Sequence, residues 1–358
     1  MKTEKRKGKL VLNLLALGCT LTFIAFCKAD DPDPNIPPEP IIQPGAQPIL
    51  ELPCEINEPG SYCLTQNLIH TDRYTNAIVV DANNVTIDLG GYSIIGPTTA
   101  YNETCNGIYM DGRNNVEIRN GTITNFPNRG IFSDITDMND IASGHRIISV
   151  RVTSMGAEGI VLWGLHHTIK NCTVTNTQLE LEEGYGGITC GSLSSVIDNV
   201  TSRHFITGIQ TGTGCTVHNN TVAECSFGII PGDACSINDN TIFFTFDGIL
   251  ISERSGCLIK GNTLRENNGY GINIEGFDNA IEENLVTSSE VGIYFAYNQN
   301  VFANNRALYN GTNFGGRIPT GIYDGGGNIG AGTFVGGNVG AGLQLKVKPR
   351  TLKIIDKK

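Results

Sequence analysis

Residues 215–251 read CTVHNNTVAECSFGIIPGDACSINDNTIFFTFDGILI, and they say nearly the same thing twice. Cys215-Thr-Val-His-Asn-Asn-Thr-Val returns twenty residues later as Cys235-Ser-Ile-Asn-Asp-Asn-Thr-Ile. A Gly-Ile step follows each copy's period and serves as a ruler. It occurs at Gly107, Gly130, Gly159, Gly187, Gly208, Gly228, Gly248, Gly271 and Gly292, with intervals of 23, 29, 28, 21, 20, 20, 23 and 21. Ile78 begins the series one step earlier. A period of this length with local insertions is the signature of a solenoid.

Within one period the pattern is that of strands. Ile108-Tyr-Met-Asp111 alternates, Gly112 to Asn115 turns, Val116-Glu-Ile118 alternates again and Asn120-Gly121 turns. Alternation at period two, broken by Gly and Asn, means short strands joined by tight turns. One coil holds too few apolar residues for a core of its own, so the coils must stack. Asn220, Asn240, Asn262, Asn284 and Asn305 recur at one phase. They are read as turn formers that tolerate a left-handed backbone and bond their counterparts in the next coil.

The rest of the chain agrees. Of 358 residues 17% are charged and 44 are Gly, a composition that favours strands and turns over helices. A net charge of -10 argues against nucleic acid, which needs a basic surface. Lys2 to Lys9 is positive and Leu10 to Phe26 apolar, as in an export signal covering 1–29. Cys27-Lys-Ala29 suits cleavage before Asp30, whereas Cys19 or Cys27 would be the lipidated residue of an anchored form. Residues 30–53 are Pro-rich and read as an extended tether, 54–310 as the folded solenoid, and 311–358 as a Gly-rich segment with a basic C-terminal strand or tail. Nine cysteines follow the signal, and export permits their oxidation. Cys54 and Cys63 flank a Pro-Gly turn and are expected to form a disulfide that closes the first edge. Cys215, Cys235 and Cys257 form a column expected to be inert packing.

The repeat resembles the right-handed parallel β-helix superfamily, which includes pectate lyases, polygalacturonases, alginate epimerases and NosD-like periplasmic proteins. Pro59-Gly-Ser-Tyr-Cys-Leu64, Asn84-Val-Thr-Ile-Asp-Leu-Gly-Gly91 and Asn115-Val-Glu-Ile-Arg-Asn-Gly121 are similar to the N-terminal coils of a large bacterial group within it. The resemblance implies an all-β, single-stranded right-handed parallel β-helix of about ten coils. It does not carry an activity, because this fold hosts many. The polygalacturonase motifs and the Asp-Pro-His of alginate epimerases have no plausible counterpart here.

The candidate site comes from the pleat. If each Ile after Gly points inward, the first and third residues after it point outward. Those positions give Tyr109, Phe132 and Trp163 as platforms for sugar rings. They also give Asp81, Asp111 and Asp134, stacked about 4.8 Å apart, as candidate catalytic acids or bases. Arg129 and Glu158 are expected to edge the same groove. Two insertions, Ser133 to Gly144 and Asn176 to Gly186, carry Asp137, Asp140, Glu180, Glu182 and Glu183 and could hold Ca²⁺. His145, His166, His167, His204 and His218 are read as surface or turn residues, and no metal site is assigned. The expected function is that of an exported monomer that binds or processes an extracellular polysaccharide, as a lyase or glycoside hydrolase if it is an enzyme. The alternatives are a non-enzymatic surface or scaffold protein, and a NosD-like periplasmic accessory protein.

Overall fold

A computed structural model describes residues 45–97, 104–135, 141–177, 186–320 and 324–330. The export signal, the first part of the tether and the segment 331–358 lie outside the described residues. Every paired strand is parallel, and each coil contributes strands to three faces. The first face holds twelve strands, from Cys54–Ile56 to Thr312–Gly316. The ten coils marked by Ile78 and the Gly-Ile steps are all present there, with one more at each end. The second and third faces are exemplified by Thr216–His218 and Thr221–Ala223. They join into one sheet because Glu117–Thr124 and Arg146–Met155 run across both.

The register is set by apolar columns. On the first face Ile78, Ile108, Ile131, Ile160, Ile188 and Ile209 lie directly above one another, fully buried. A slip of one residue would turn this column to solvent, so the alternation fixes the pairing. The glycine before each Ile is a packing requirement. A Cβ on Gly208 would stand 2.3 Å from Val222 Cγ1 on the third face and 2.8 Å from the Gly228 carbonyl of the next coil.

Corners are closed by ladders of side chains. Asn199, Asn220, Asn240, Asn262, Asn284 and Asn305 are buried. The backbone N–H and the Nδ2 of Asn240 both donate to Asn262 Oδ1, at 2.9 and 3.0 Å, and Nδ2 also donates to the Val217 carbonyl. The same three bonds recur at Asn262. The left-handed backbone expected of these asparagines belongs instead to the residue before each, as at Asn219, Asp239 and Glu283.

A second ladder is chemically mixed. The backbone N–H of Val116 donates to His145 Nδ1, that of His145 to His167 Nδ1, and that of His167 to Ser194 Oγ. Ser194 N donates to Cys215 Sγ and Cys215 N to Cys235 Sγ, while Cys257 N donates to Asn279 Oδ1. The cysteine column is therefore more than apolar filling. Each thiol also donates to a carbonyl of the preceding coil, Cys215 to Gly191, Cys235 to Gly212 and Cys257 to Gly232. The histidines correct a sequence expectation: His145, His167 and His204 are buried. The rings of His145 and His167 stack at 5.0 Å and 8°.

The Cys54–Cys63 disulfide is not formed, and all nine described cysteines are free. Cys54 packs against the core from the first face, whereas Cys63 follows the inward Tyr62 on the second face, in register with Asp88. The first edge is covered another way, by the strand Gln47–Ile49 paired with Gly60–Leu64. The coils also reach beyond residue 310, where the pattern was expected to fade. Thr312–Gly316 and Asp324–Gly326 are paired strands, and Asn328 Oδ1 accepts from Asn305 N to extend the ladder.

Two outcomes follow from these ladders. Burial lowers the pKa of His145 to about 3, of His167 to about 4 and of His204 to about 3, from an ordinary 6.5. The unfolded chain therefore takes up protons first as pH falls. Stability is full above pH 6.5 and is lost below it, by about 2 kcal/mol per imidazole at pH 5. Urea unfolding of the wild type and of His204→Gln between pH 7.5 and pH 5 will show a shallower loss in the variant; identical profiles would refute the assignment. Cys215, Cys235 and Cys257 are each buried with the thiol donating to a carbonyl, which shields all three sulfurs from reagents. A thiol-reactive dye is expected to label Cys215, Cys235 and Cys257 only after unfolding, and fast labelling of the native protein would contradict this.

Candidate functional site

The outward residues of the first four coils form the column Glu55, Val79, Tyr109, Phe132, one pair per strand step. A cavity of about 610 Å³ opens against it. Its floor is Val79, Tyr109 and Phe132, its polar groups include Glu55, Asp134, Asn76 and Asn106, and Tyr74 stands at its rim. The walls come from connections between the third and first faces, which are longer here than in later coils. Residues 70–76 are tied down locally: His70 Nε2 donates to the Thr75 carbonyl at 2.9 Å, and Asp72 accepts from Tyr74 N and Thr75 Oγ1. Those two donors, the Tyr74 N–H first, hold the Asp72 carboxyl below its usual range. The loop thus presents Tyr74, 75% exposed. Asn106 is clamped by donating its N and Nδ2 to Asn76 Oδ1 and accepting from Arg129 N.

The aromatic residues of the floor are in mutual contact. The rings of Tyr109 and Phe132 are 5.7 Å apart and tilted by 55°. The Arg129 guanidinium lies 4.2 Å above the Phe132 ring, and its Nε donates to Glu158 Oε2 at 2.5 Å. Arg129 and Glu158 therefore pair beside the Phe132 ring and do not line the cavity, with Glu158 buried. Burial first, then Asp111 and Asp134, raises the Tyr109 pKa, which keeps its phenol neutral.

Of the residues singled out from sequence, the structure brings Tyr109, Phe132 and Asp134 together. Asp81 and Asp111 do not line the cavity. Arg113 reaches between them, with Nη2 3.6 Å from Asp81 Oδ1 and Nε donating to the Asp111 carbonyl at 2.7 Å. The three aspartates are thus not a simple column of like charges. Asp134 Oδ1 accepts from the Ile135 N–H, a turn-forming bond. Trp163 does not line the cavity; pairing of its strand with the preceding one ends at Ser133↔Leu162, and its register with the following strand shifts between Leu162 and Leu165. The acidic residues proposed for Ca²⁺ in the two insertions, Asp137, Asp140, Glu180, Glu182 and Glu183, lie outside the described residues.

Sequence reasoning missed Glu55, Tyr74, Asn76 and Asn106. The last two had a signal, since each stands two places before an inward Ile of the ruler. It also missed a polar cluster further along the same face. Asp247 is buried, accepts from Tyr270 N at 2.9 Å and from Asn273 Nδ2 at 3.4 Å, and that amide also donates to Glu275. Burial raises the Asp247 pKa. The rings of Tyr270 and Tyr294 lie 5.0 Å apart, tilted by 47°.

Comparison with known proteins agrees with this architecture. A family model described as periplasmic copper-binding protein (NosD) matches residues 195–339, and one described as right handed beta helix region matches residues 106–246. No curated protein matches the sequence. Among solved structures, the A-module of mannuronan C-5 epimerase AlgE6 from Azotobacter vinelandii is similar, with a TM-score of 0.56 at 12% identity over 77% of this chain and 92% of that one. The Dettilon tailspike protein gives 0.56 at 14% identity over 79% of this chain and 58% of that one. A double mutant of the periplasmic alginate epimerase AlgG gives 0.55 at 14% identity over 74% and 72%. At such identities the likeness establishes the fold alone. With its parallel faces, its stacked apolar columns and these matches, the chain is a right-handed parallel β-helix protein.

Proposed function

We propose that this protein is exported and binds a polysaccharide along the first face of its β-helix, with the cavity over Tyr109 and Phe132 as the principal sugar site. The observation that carries this reading is the cavity itself. The aromatic side chains of Tyr109 and Phe132 line it together with two carboxylates and clamped amides. Aromatic rings stack on the apolar faces of sugars, and fixed carboxylate and amide groups select among hydroxyls. The similar structures include proteins whose names specify a polysaccharide or a tailspike, and the NosD description and the basic-apolar N-terminus support export. Within the site Asp134 and Glu55 are the groups with acid–base capacity, so any turnover would run through them.

A second reading follows from the NosD description, which covers the span holding Cys215, Cys235 and Cys257. In that reading the chain serves copper handling, and the thiols are the donors to examine.

Tyr109→Ala and Phe132→Ala are each expected to weaken polysaccharide binding about tenfold or more, the loss of one stacking platform. Trp163→Ala, outside the cavity, should leave affinity unchanged. Affinity electrophoresis in polysaccharide gels, with circular dichroism to confirm folding, measures all three. If the wild type binds a glycan and neither cavity variant weakens it, the site is elsewhere. Copper retained by the purified protein and lost on thiol labelling would favour the second reading.

A further inference from the structure

The cavity's charge narrows the class of polysaccharide. Its two ionisable carboxylates, Glu55 and Asp134, line it without any Lys, Arg or His beside them. Arg73 precedes the lining residue Tyr74 in sequence but does not itself line the cavity, and two other arginines of the early coils are engaged elsewhere. Arg129 donates to buried Glu158 and lies on Phe132, and Arg113 pairs with Asp81 and the Asp111 carbonyl. The wider face repeats the pattern. None of the residues one or three places after the inward isoleucines, from Ile78 through Ile293, is Lys, Arg or His, while Asp81, Asp111, Asp134 and Glu275 are among them. The segments 98–103, 136–140 and 178–185, which belong to the same coils, also contain no Lys, Arg or His but carry Glu103, Asp137, Asp140, Glu180, Glu182 and Glu183.

From this charge pattern we infer that the groove takes an uncharged polysaccharide and rejects polyuronates. The inference rests on the saccharide-binding reading and adds the substrate class to it. A carboxylate accepts hydrogen bonds from sugar hydroxyls, two at a time, at no electrostatic cost to an uncharged ligand. A polyuronate brings one carboxylate per residue into the same space. With no cation lining the cavity to receive it, each such group must lose hydration and meet like charge. Glu55 and Asp134 are thus specificity-determining residues, and the names of the similar epimerases, which specify mannuronan and alginate, do not carry over to this chain's ligand.

The test is binding of the full mature protein to dextran, galactomannan and xylan against alginate and polygalacturonate, at low and at moderate salt. At least one uncharged polymer should bind, with alginate and polygalacturonate at least tenfold weaker at low salt. That gap should narrow as salt screens the repulsion. The double variant Glu55→Gln/Asp134→Asn should lose much of the discrimination. Equal or tighter binding of either polyuronate by the wild type would overturn the inference while leaving the saccharide site standing. Discrimination unchanged in the double variant would remove Glu55 and Asp134 from the explanation. Failure to bind any of the five polymers, charged or not, would overturn both readings together.

Discussion

Everything in this molecule depends on parallel, in-register stacking at one strand spacing. Each residue sits about 4.8 Å above its counterpart in the next coil, so every position is chosen for compatibility with its own kind. The backbone N–H groups at the corners are the sharpest case. They leave the strand ladder where the chain turns, and a buried N–H without a partner costs about 1–3 kcal/mol. Asparagine solves this repeatedly because one amide both caps the preceding coil and is capped by the following one. His145, His167, Ser194 and Cys215 solve the same problem with other acceptors. What they share is an acceptor atom at the right reach, and this is why such unlike residues occupy one column.

The same stacking makes charge expensive. Two carboxylates in one column repel, so the early coils interleave signs. Asp88 stands in register with Arg119, and Glu117 with Arg146. Arg119 donates to Asp88 at 2.9 Å and to Glu117 at 2.8 Å, and Arg146 donates to Glu117 at 2.7 Å. Asp88 and Glu117 are thereby buried without being left unpaired. On the first face Arg113 does the corresponding work for Asp81. Against that background, the carboxylates of the cavity stand out because, among the described residues, no arginine pairs with them.

The fold was legible because stacking writes itself into sequence as periodicity. The Gly-Ile ruler located ten coils and their inward column, and the pleat rule correctly paired Tyr109 with Phe132 and Asp111 with Asp134. What the period does not encode was harder to read. Arg113 lies in a turn, so its reach to Asp81 is invisible to a strand pattern. The register shift beyond Leu162 is one residue's departure from regularity, and Trp163 falls within it. Buried His145 and His167 looked like surface residues because their acceptor role is shared with Ser and Cys at the same phase, a chemical likeness that residue names conceal. Tyr74 and Glu55 lie in the first coil, before the ruler begins.

Regular coils build flat faces, and a flat face has nowhere to enclose a ligand. The middle coils, at intervals of 20 and 21, pass from the third face to the first in a few residues, as from Phe243 to Asp247. The early coils take longer, from Ile69 to Ile78 and from Ile95 to Ile108. Those connections supply Tyr74, Thr75, Asn76, Thr104 and Asn106, which wall the cavity over a floor made by the regular strands. The division of labour is physical. Strands locked by their neighbours hold the rings of Tyr109 and Phe132 still, and connections freed from the ladder can vary in length without cost to the core. A binding site on this fold therefore belongs where the period lengthens, and here the lengthened coils, the aromatic floor and the unpaired signs of charge coincide.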